Sequence, residues 1–130
     1  MIVDGIYHKC VVTSTGSIQT WGDHGCGLND VLPRLLPDLR SKDVICVSAG
    51  KRFTACVTKA GEVFTWGEGQ CGKLGHGDRN TSNQKIPNRV EVLIGVKARQ
   101  ISCGWNHTFC TEDGRVYAFG RGGVWTIRTW

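Results

Sequence analysis

One glycine-marked pattern occurs three times in this chain of 130 residues, and the repetition restricts the fold more than any other feature. Each copy contains a glycine, a β-rich run, a second glycine, and a second run that ends in an aromatic residue and glycine. The copies begin at Gly5, Gly50 and Gly104 and end at Trp21-Gly22, Trp66-Gly67 and Phe119-Gly120. A period of roughly 45 to 55 residues is typical of large all-β repeats and too long for short solenoid repeats.

Each copy predicts a β-hairpin. Asp113-Gly114 separates two β-rich runs in the third copy, and this dipeptide favours a tight turn in which both central residues have positive φ. Residues 63–66 carry bulk on both faces, as strands covered on both sides do. Additional strands are predicted at 44–48, 90–93 and 99–103. We therefore predict an all-β fold, namely a partial β-propeller whose blades stack face to face.

Composition indicates a globular protein without a metal site or a nucleic-acid footprint. The formal net charge is only +5, and no run of like charges occurs. The seven cysteines are odd in number and form no CxxC pair, which argues against a disulfide framework and a zinc site. Several lie in apolar stretches, as core residues of a protein in a reducing compartment would. The first nine residues lack the pattern of a signal peptide, and no apolar run is long enough to cross a membrane. We expect an intracellular protein, cytoplasmic or nuclear.

The glycine-rich segment 67–78 contains G-x-G-x-x-G and most of a phosphate-binding G-x-x-x-x-G-K motif. Leu74 stands where that motif requires Ser or Thr, and Gly75 and Gly77 disfavour the helix whose amino terminus would face a phosphate. We therefore interpret the segment as a turn-rich connector and expect no nucleotide cofactor. G-x-S-x-G and H-E-x-x-H are absent, so the sequence predicts no catalytic site and no enzyme.

Together these residues resemble the repeat of the regulator of chromosome condensation family. The second copy matches through Gly50, Thr54, Thr58, Gly61, Val63, Trp66, Gly67, Gly72, Leu74, Gly75 and Gly77. The third matches through Gly104, His107, Thr108, Thr111, Gly114, Val116, Tyr117 and Gly120, and the first copy is weaker. The resemblance covers nearly the whole chain. It implies four-stranded antiparallel blades and a seven-bladed ring about three times this length.

At this length the ring is not closed. We expect a single partial propeller domain over 1–130, with repeats at approximately 1–43, 44–97 and 98–130. The last repeat is expected to be incomplete, because Trp125 stands where the family loop has a glycine. Two blade faces would then be open, which predicts self-association or pairing with the missing blades.

The resemblance favours a protein-protein interaction module, since rigid scaffolds place binding residues on loops. The candidate protein-binding residues are Lys73, His76, Asp78, Arg79 and His107. Family members act on or with small GTPases, chromatin and the ubiquitin pathway, so the expected partner is a protein of one of these kinds. The alternative is guanine-nucleotide exchange on a small GTPase, for which the resemblance points to His107 and His8. A third interpretation is light sensing. Residues 104–108 are similar to a tryptophan motif of a plant photoreceptor, except that this chain has Asn106 where the motif has an arginine.

Overall fold

The computed structural model describes residues 2–14, 18–23, 29–35, 39, 42–69, 73–75, 84–120 and 123–128. These residues form three antiparallel sheets of four strands, and in each sheet the strands pair in chain order. The first blade comprises β1 (Ile2–Asp4), β2 (His8–Val12), β3 (Ile18–Asp23) and β4 (Asn29–Leu35). The second comprises β5 (Val44–Ala49), β6 (Phe53–Thr58), β7 (Val63–Gly67) and β8 (Gln84–Arg89). The third comprises β9 (Gln100–Cys103), β10 (His107–Glu112), β11 (Arg115–Gly120) and β12 (Gly123–Arg128).

The three blades form an arc of a β-propeller, and the ring is not closed. The main contacts between blades involve the first strands, since β5 touches β1 and β2 on one side and β9 on the other. The predicted all-β fold with four-stranded antiparallel blades is therefore confirmed. Two of the additional strands, at 44–48 and 99–103, correspond to β5 and β9.

The strand predicted at 90–93 is wrong. Residues Glu91–Leu93 form a single 3-10 turn, in which Leu93 N–H donates to Val90 O at 3.1 Å. Because a 3-10 helix has three residues per turn, Val90 and Leu93 lie on the same side, and both are buried between the second and third blades. Within the described residues, no helix is long and apolar enough to cross a membrane.

The third blade has four strands, whereas the sequence predicted an incomplete last repeat. β12 pairs with β11 from Gly120↔Gly123 to Arg115↔Arg128. Its segment is rich in the β-branched and aromatic residues that suit a strand. The hairpin at Asp113-Gly114 is confirmed, because Glu112 pairs with Arg115 across it. The expectation of two positive φ angles is wrong, since only Gly114 has one, at 71°.

The core lies at the two junctions between blades. Cys10, Ile18, Val47, Cys56 and Trp66 belong to the first junction, and Ala55, Val57, Val90, Cys110 and Phe119 belong to the second. All six residues of β6 are buried, and neighbouring residues along this strand belong to opposite junctions. The middle blade is therefore covered on both faces, as the bulk at 63–66 predicted.

The cysteines of the described residues are free thiols, and Cys10, Cys56 and Cys110 are buried. Burial raises the pKa of Cys10 to about 12 and that of Cys110 to about 11. Burial also raises the pKa of Cys56 well above its ordinary value. These thiols are core residues that stay protonated at neutral pH, which confirms their predicted packing role.

Candidate protein-binding surface

The same tight turn joins the first two strands of each blade. Its closing hydrogen bonds run from Gly5 N–H to His8 O, from Gly50 N–H to Phe53 O and from Gly104 N–H to His107 O, each at 2.8 Å. Two residues lie inside each turn, at the same end of every blade. We call these six residues the turn surface, which consists of Ile6, Tyr7, Lys51, Arg52, Trp105 and Asn106.

Glycines at the start of the turns let neighbouring blades approach closely. Ile6 N–H donates across the first junction to Gly50 O at 3.3 Å. A Cβ atom on Gly5 would lie 2.8 Å from Gly50 O, and one on Gly50 would lie 2.5 Å from Gly104 O. Any larger residue would push the blades apart. The three turns are therefore held side by side.

Cations of the middle turn stack on aromatic rings of the outer two. Arg52 Cζ lies 4.4 Å from the centroid of the Tyr7 ring, and Lys51 Nζ lies 5.0 Å from that of Trp105. Both distances are within the range of favourable cation–π contacts. The Tyr7 side chain is nevertheless 45% exposed and Trp105 is 64% exposed. The turn surface thus presents two ordered aromatic side chains to solvent.

The buried side chain of Lys73 contacts the backbone of the third turn. It is only 1% exposed, and its Nζ donates to Glu68 Oε2 at 3.3 Å and to Trp105 O at 3.4 Å. The same ammonium lies 4.9 Å from the centroid of the Phe53 ring. Since a buried cation is costly unless it is paired, these contacts satisfy Lys73 and fix the backbone of Trp105.

The residue that closes each turn differs between the two junctions. In the first, the buried His8 Nε2 shares a hydrogen bond with Thr54 Oγ1 at 2.7 Å, and the imidazole tautomer decides which atom donates. In the second, Phe53 replaces the histidine and cannot accept or donate. Thr108 Oγ1 instead donates to Lys73 O at 2.9 Å. Lys73 thus supplies the polar contacts that a histidine supplies at the first junction.

The sequence-predicted binding residues lie in different places. Lys73 is buried beneath the turn surface, so its ammonium contacts this chain. His107 closes the third turn, is partly buried and stacks at 6.4 Å on Phe109. Their protein-binding role stays a prediction. The remaining candidates, His76, Asp78 and Arg79, lie outside the described residues.

Four residues of the turn surface were not predicted from the sequence. These are Ile6, Tyr7, Lys51 and Arg52. The available signal was the pair of positions after the first glycine of each copy. In all three copies those two positions lie between a glycine and a residue with a ring side chain, which is His8, Phe53 or His107. The residues at the two positions themselves are of different types in each copy. Such variation on a fixed frame is typical of a surface that contacts a partner.

A pocket of about 220 Å³ adjoins the first turn. Its walls include Ile6, Tyr7 and the partly exposed Trp21. The pocket is large enough for one apolar side chain. In the described part of the chain, no group of three or more His, Cys, Asp or Glu side chains could hold a metal ion.

Three stacked four-stranded blades whose exposed turns share one end define the protein as a partial β-propeller. Models of the regulator of chromosome condensation (RCC1) repeat match residues 60–111 and 44–73. The chain belongs to the RCC1-repeat family.

The relatives share this part of their sequence. The chain is 40% identical over 131 residues to the human probable E3 ubiquitin-protein ligase HERC4, a match covering 94% of the chain and 12% of HERC4. It is 35% identical over 128 residues to the Arabidopsis thaliana ultraviolet-B receptor UVR8, covering 92% of the chain and 29% of UVR8. The chain therefore spans only a small part of either relative. These matches support an interaction or regulatory module, and they cover the repeat region of the ligase.

Solved structures show the same fold. Human WBSCR16 matches with a TM-score of 0.79 and 24% identity, over 92% of the chain and 32% of that structure. Prp20p of Saccharomyces cerevisiae matches with a TM-score of 0.77 and 23% identity, over 94% of the chain and 30% of that structure. At these identities the likeness concerns the fold alone, because one fold hosts many functions.

Proposed function

We propose that this chain is a protein-protein interaction module without catalytic chemistry of its own, and that the turn surface is where it binds. The observation that carries the proposal is the pair of exposed aromatic rings, Tyr7 and Trp105, each held by a cation of the middle turn. Tyrosine, tryptophan and arginine are enriched at the centres of protein interfaces. Rings that are already ordered lose little entropy when a partner covers them.

Capture of binding proteins by immobilised variants tests this proposal. Wild-type protein, Trp105→Ala and Ile94→Ala would be compared by quantitative mass spectrometry of the proteins retained from a cell extract. Ile94 is a matched control, because it is 61% exposed and follows the 3-10 turn at the opposite end of the second blade. Proteins retained by wild type and Ile94→Ala but lost by Trp105→Ala support the proposal. Equal retention by all three would overturn it.

Guanine-nucleotide exchange on a small GTPase is the alternative proposal. It is supported by the position of His107, which is partly exposed and borders the turn surface. Small GTPases loaded with a fluorescent GDP analogue would be mixed with wild-type protein or with His107→Ala. Accelerated nucleotide release that depends on His107 supports exchange activity. Absence of acceleration across the panel removes this alternative and leaves the interaction module in place.

The outer face of the third blade supports pairing with a further blade. Phe109 is 39% exposed there, and among the described residues a Cβ atom on Gly104 would meet only His107 O, at 3.6 Å. A second copy of the chain fits this face poorly. At each existing junction, the residue after the one that closes the turn is a buried threonine, Thr54 or Thr108. The first blade of a second copy would present Lys9 at this position instead, and Lys9 is ion-paired with Asp4 at 2.6 Å.

Light-scattering mass over a concentration series tests the pairing. A constant monomer mass supports a further blade as the occupant. A mass that doubles with concentration would favour self-association and contradict the proposal.

A further inference from the structure

We propose that the turn surface recognises an acidic protein segment that also carries an apolar side chain. This inference rests on the proposed interaction function and names the chemistry of the partner. The charges, the pocket and the arrangement of the rings support it.

The charge of the turn surface is positive. Its only charged residues are Lys51 and Arg52. Two acidic side chains adjoin it, and both are paired: Glu68 with the buried Lys73 at 3.3 Å and Asp4 with Lys9 at 2.6 Å. Glu68 N–H donates to Arg52 O at 2.8 Å, so this carboxylate lies close to the turn but is already neutralised. A partner with carboxylates would therefore meet cations and no unpaired acid among these residues. Complementary charge favours both encounter and specificity.

Lys51 is held in place before any partner arrives. Its Nζ lies 5.0 Å from the centroid of the Trp105 ring, and the backbone of Trp105 is fixed in turn by Lys73. An exposed lysine normally loses considerable rotamer entropy when it forms an ion pair. Because the cation–π contact already restricts Lys51, less of that entropy remains to be lost on binding.

The apolar component of the partner has a place beside the first turn. Ile6, Tyr7 and Trp21 contribute to the walls of the pocket of about 220 Å³. An aliphatic side chain in this pocket would contact the Tyr7 side chain, whose ring Arg52 also contacts. Anchors of this kind, set in a pocket and surrounded by polar contacts, supply much of the affinity of protein interfaces.

Nucleic acid fits the same surface less well. Its recognition depends on several cations along a backbone and on aromatic faces that are open to stacking bases. The turn surface has two cations, and each of them occupies one face of an aromatic ring. The observations therefore favour a protein segment, and binding of an oligonucleotide is an outcome of the test.

Two fluorescent ten-residue peptides and one single-stranded oligonucleotide serve as probes. The peptides carry leucine at the same positions and glutamate or lysine at the others. We expect the glutamate peptide to bind at least about tenfold more tightly than the lysine peptide in an anisotropy titration. Lys51→Glu should weaken binding of the glutamate peptide about tenfold, and the neutral Lys51→Met should weaken it less.

Lys59→Glu is the matched control. Lys59 is exposed and undergoes the same change of charge, but it follows β6 at the opposite end of the second blade. We expect its affinity for the glutamate peptide to stay within about twofold of wild type. Thermal unfolding of each variant would establish that the fold is intact.

Three results would overturn the inference. These are equal binding of the two peptides, equal weakening by Lys59→Glu and Lys51→Glu, and tighter binding of the oligonucleotide than of the glutamate peptide. If proteins are captured through Trp105 but the glutamate peptide does not bind, the partner chemistry is wrong while the interaction function stands. If Trp105→Ala retains every captured protein, the proposed function itself fails.

Discussion

Replacing Gly50 with alanine would place a methyl group where the second and third blades meet. The added Cβ atom would lie 2.3 Å from Cε1 of Phe53 and 2.5 Å from Gly104 O. Neither neighbour can move easily, because Phe53 is fully buried and the oxygen belongs to the backbone. Overpacking of a core typically costs about 1–3 kcal/mol, and these distances place Gly50→Ala at the upper end.

Gly104→Ala is the matched control for this prediction. Gly104 occupies the same repeat position, but in the described part of the chain an added Cβ atom would meet only His107 O, at 3.6 Å. Its φ lies outside the left-handed region. Alanine there should therefore be neutral or should stabilise the fold by up to about 1 kcal/mol, because it restricts the unfolded chain.

Thermal unfolding followed by circular dichroism measures both effects. For a chain of 130 residues, each kcal/mol corresponds to a shift of about 4 °C in Tm. We expect Gly50→Ala to lower Tm by about 8–12 °C and Gly104→Ala to leave it unchanged or slightly raised. Equal shifts in the two variants would refute the reasoning that blade contact, rather than the turn itself, requires glycine at Gly50.

Three further predictions concern buried groups. Thr54→Val should lower the free energy of unfolding in urea by about 1–3 kcal/mol, because His8 loses a hydrogen-bond partner, and Thr54→Ser should lower it less. Lys73→Met should cost about 3 kcal/mol in the same assay, whereas Lys9→Met should cost about 0–1 kcal/mol because its shorter ion pair is exposed. If Lys9→Met lowered the free energy of unfolding more than Lys73→Met does, burial of the ion pair would not explain its contribution. Finally, burial raises the pKa of Cys10 to about 12 from 9.0, so the thiol ionises first in the unfolded state. The stability that it contributes is therefore present below pH 9 and is lost as the pH rises towards 12. Cys10→Ala should flatten this decline, and an unchanged pH profile would count against it.

The fold could be predicted from sequence because its constraints recur at fixed positions. The close approach of two blades demands glycine at Gly50, and the junction core demands a large ring at Trp66. The same residue types, a glycine and a large ring followed by glycine, recur in each copy, so the pattern is visible in a single sequence. The 3-10 turn at Glu91–Leu93 was predicted as a strand, because periodicity alone does not distinguish such a short apolar run from a strand.

The ring contacts of the turn surface could not be predicted, because they form between residues of different blades. Arg52 meets Tyr7, 45 positions earlier, only because the stacking of blades places their turns in a row. The burial of Lys73 has a similar origin. Phe53 replaces histidine at the residue that closes the turn. Lys73, which the sequence places in a glycine-rich loop, is buried against the Phe53 ring. A local motif does not contain that information.

The uncovered Gly104 makes the third blade a reporter of its own surroundings. An alanine at this position is harmless while no further blade stacks on β10. If a further blade came as close to Gly104 as the third blade comes to Gly50, the added methyl group would collide with it. The same substitution introduced into any longer or assembled form would therefore show, by its cost in stability, whether that edge is covered. One methyl group would distinguish a free arc from a segment of a continuous ring.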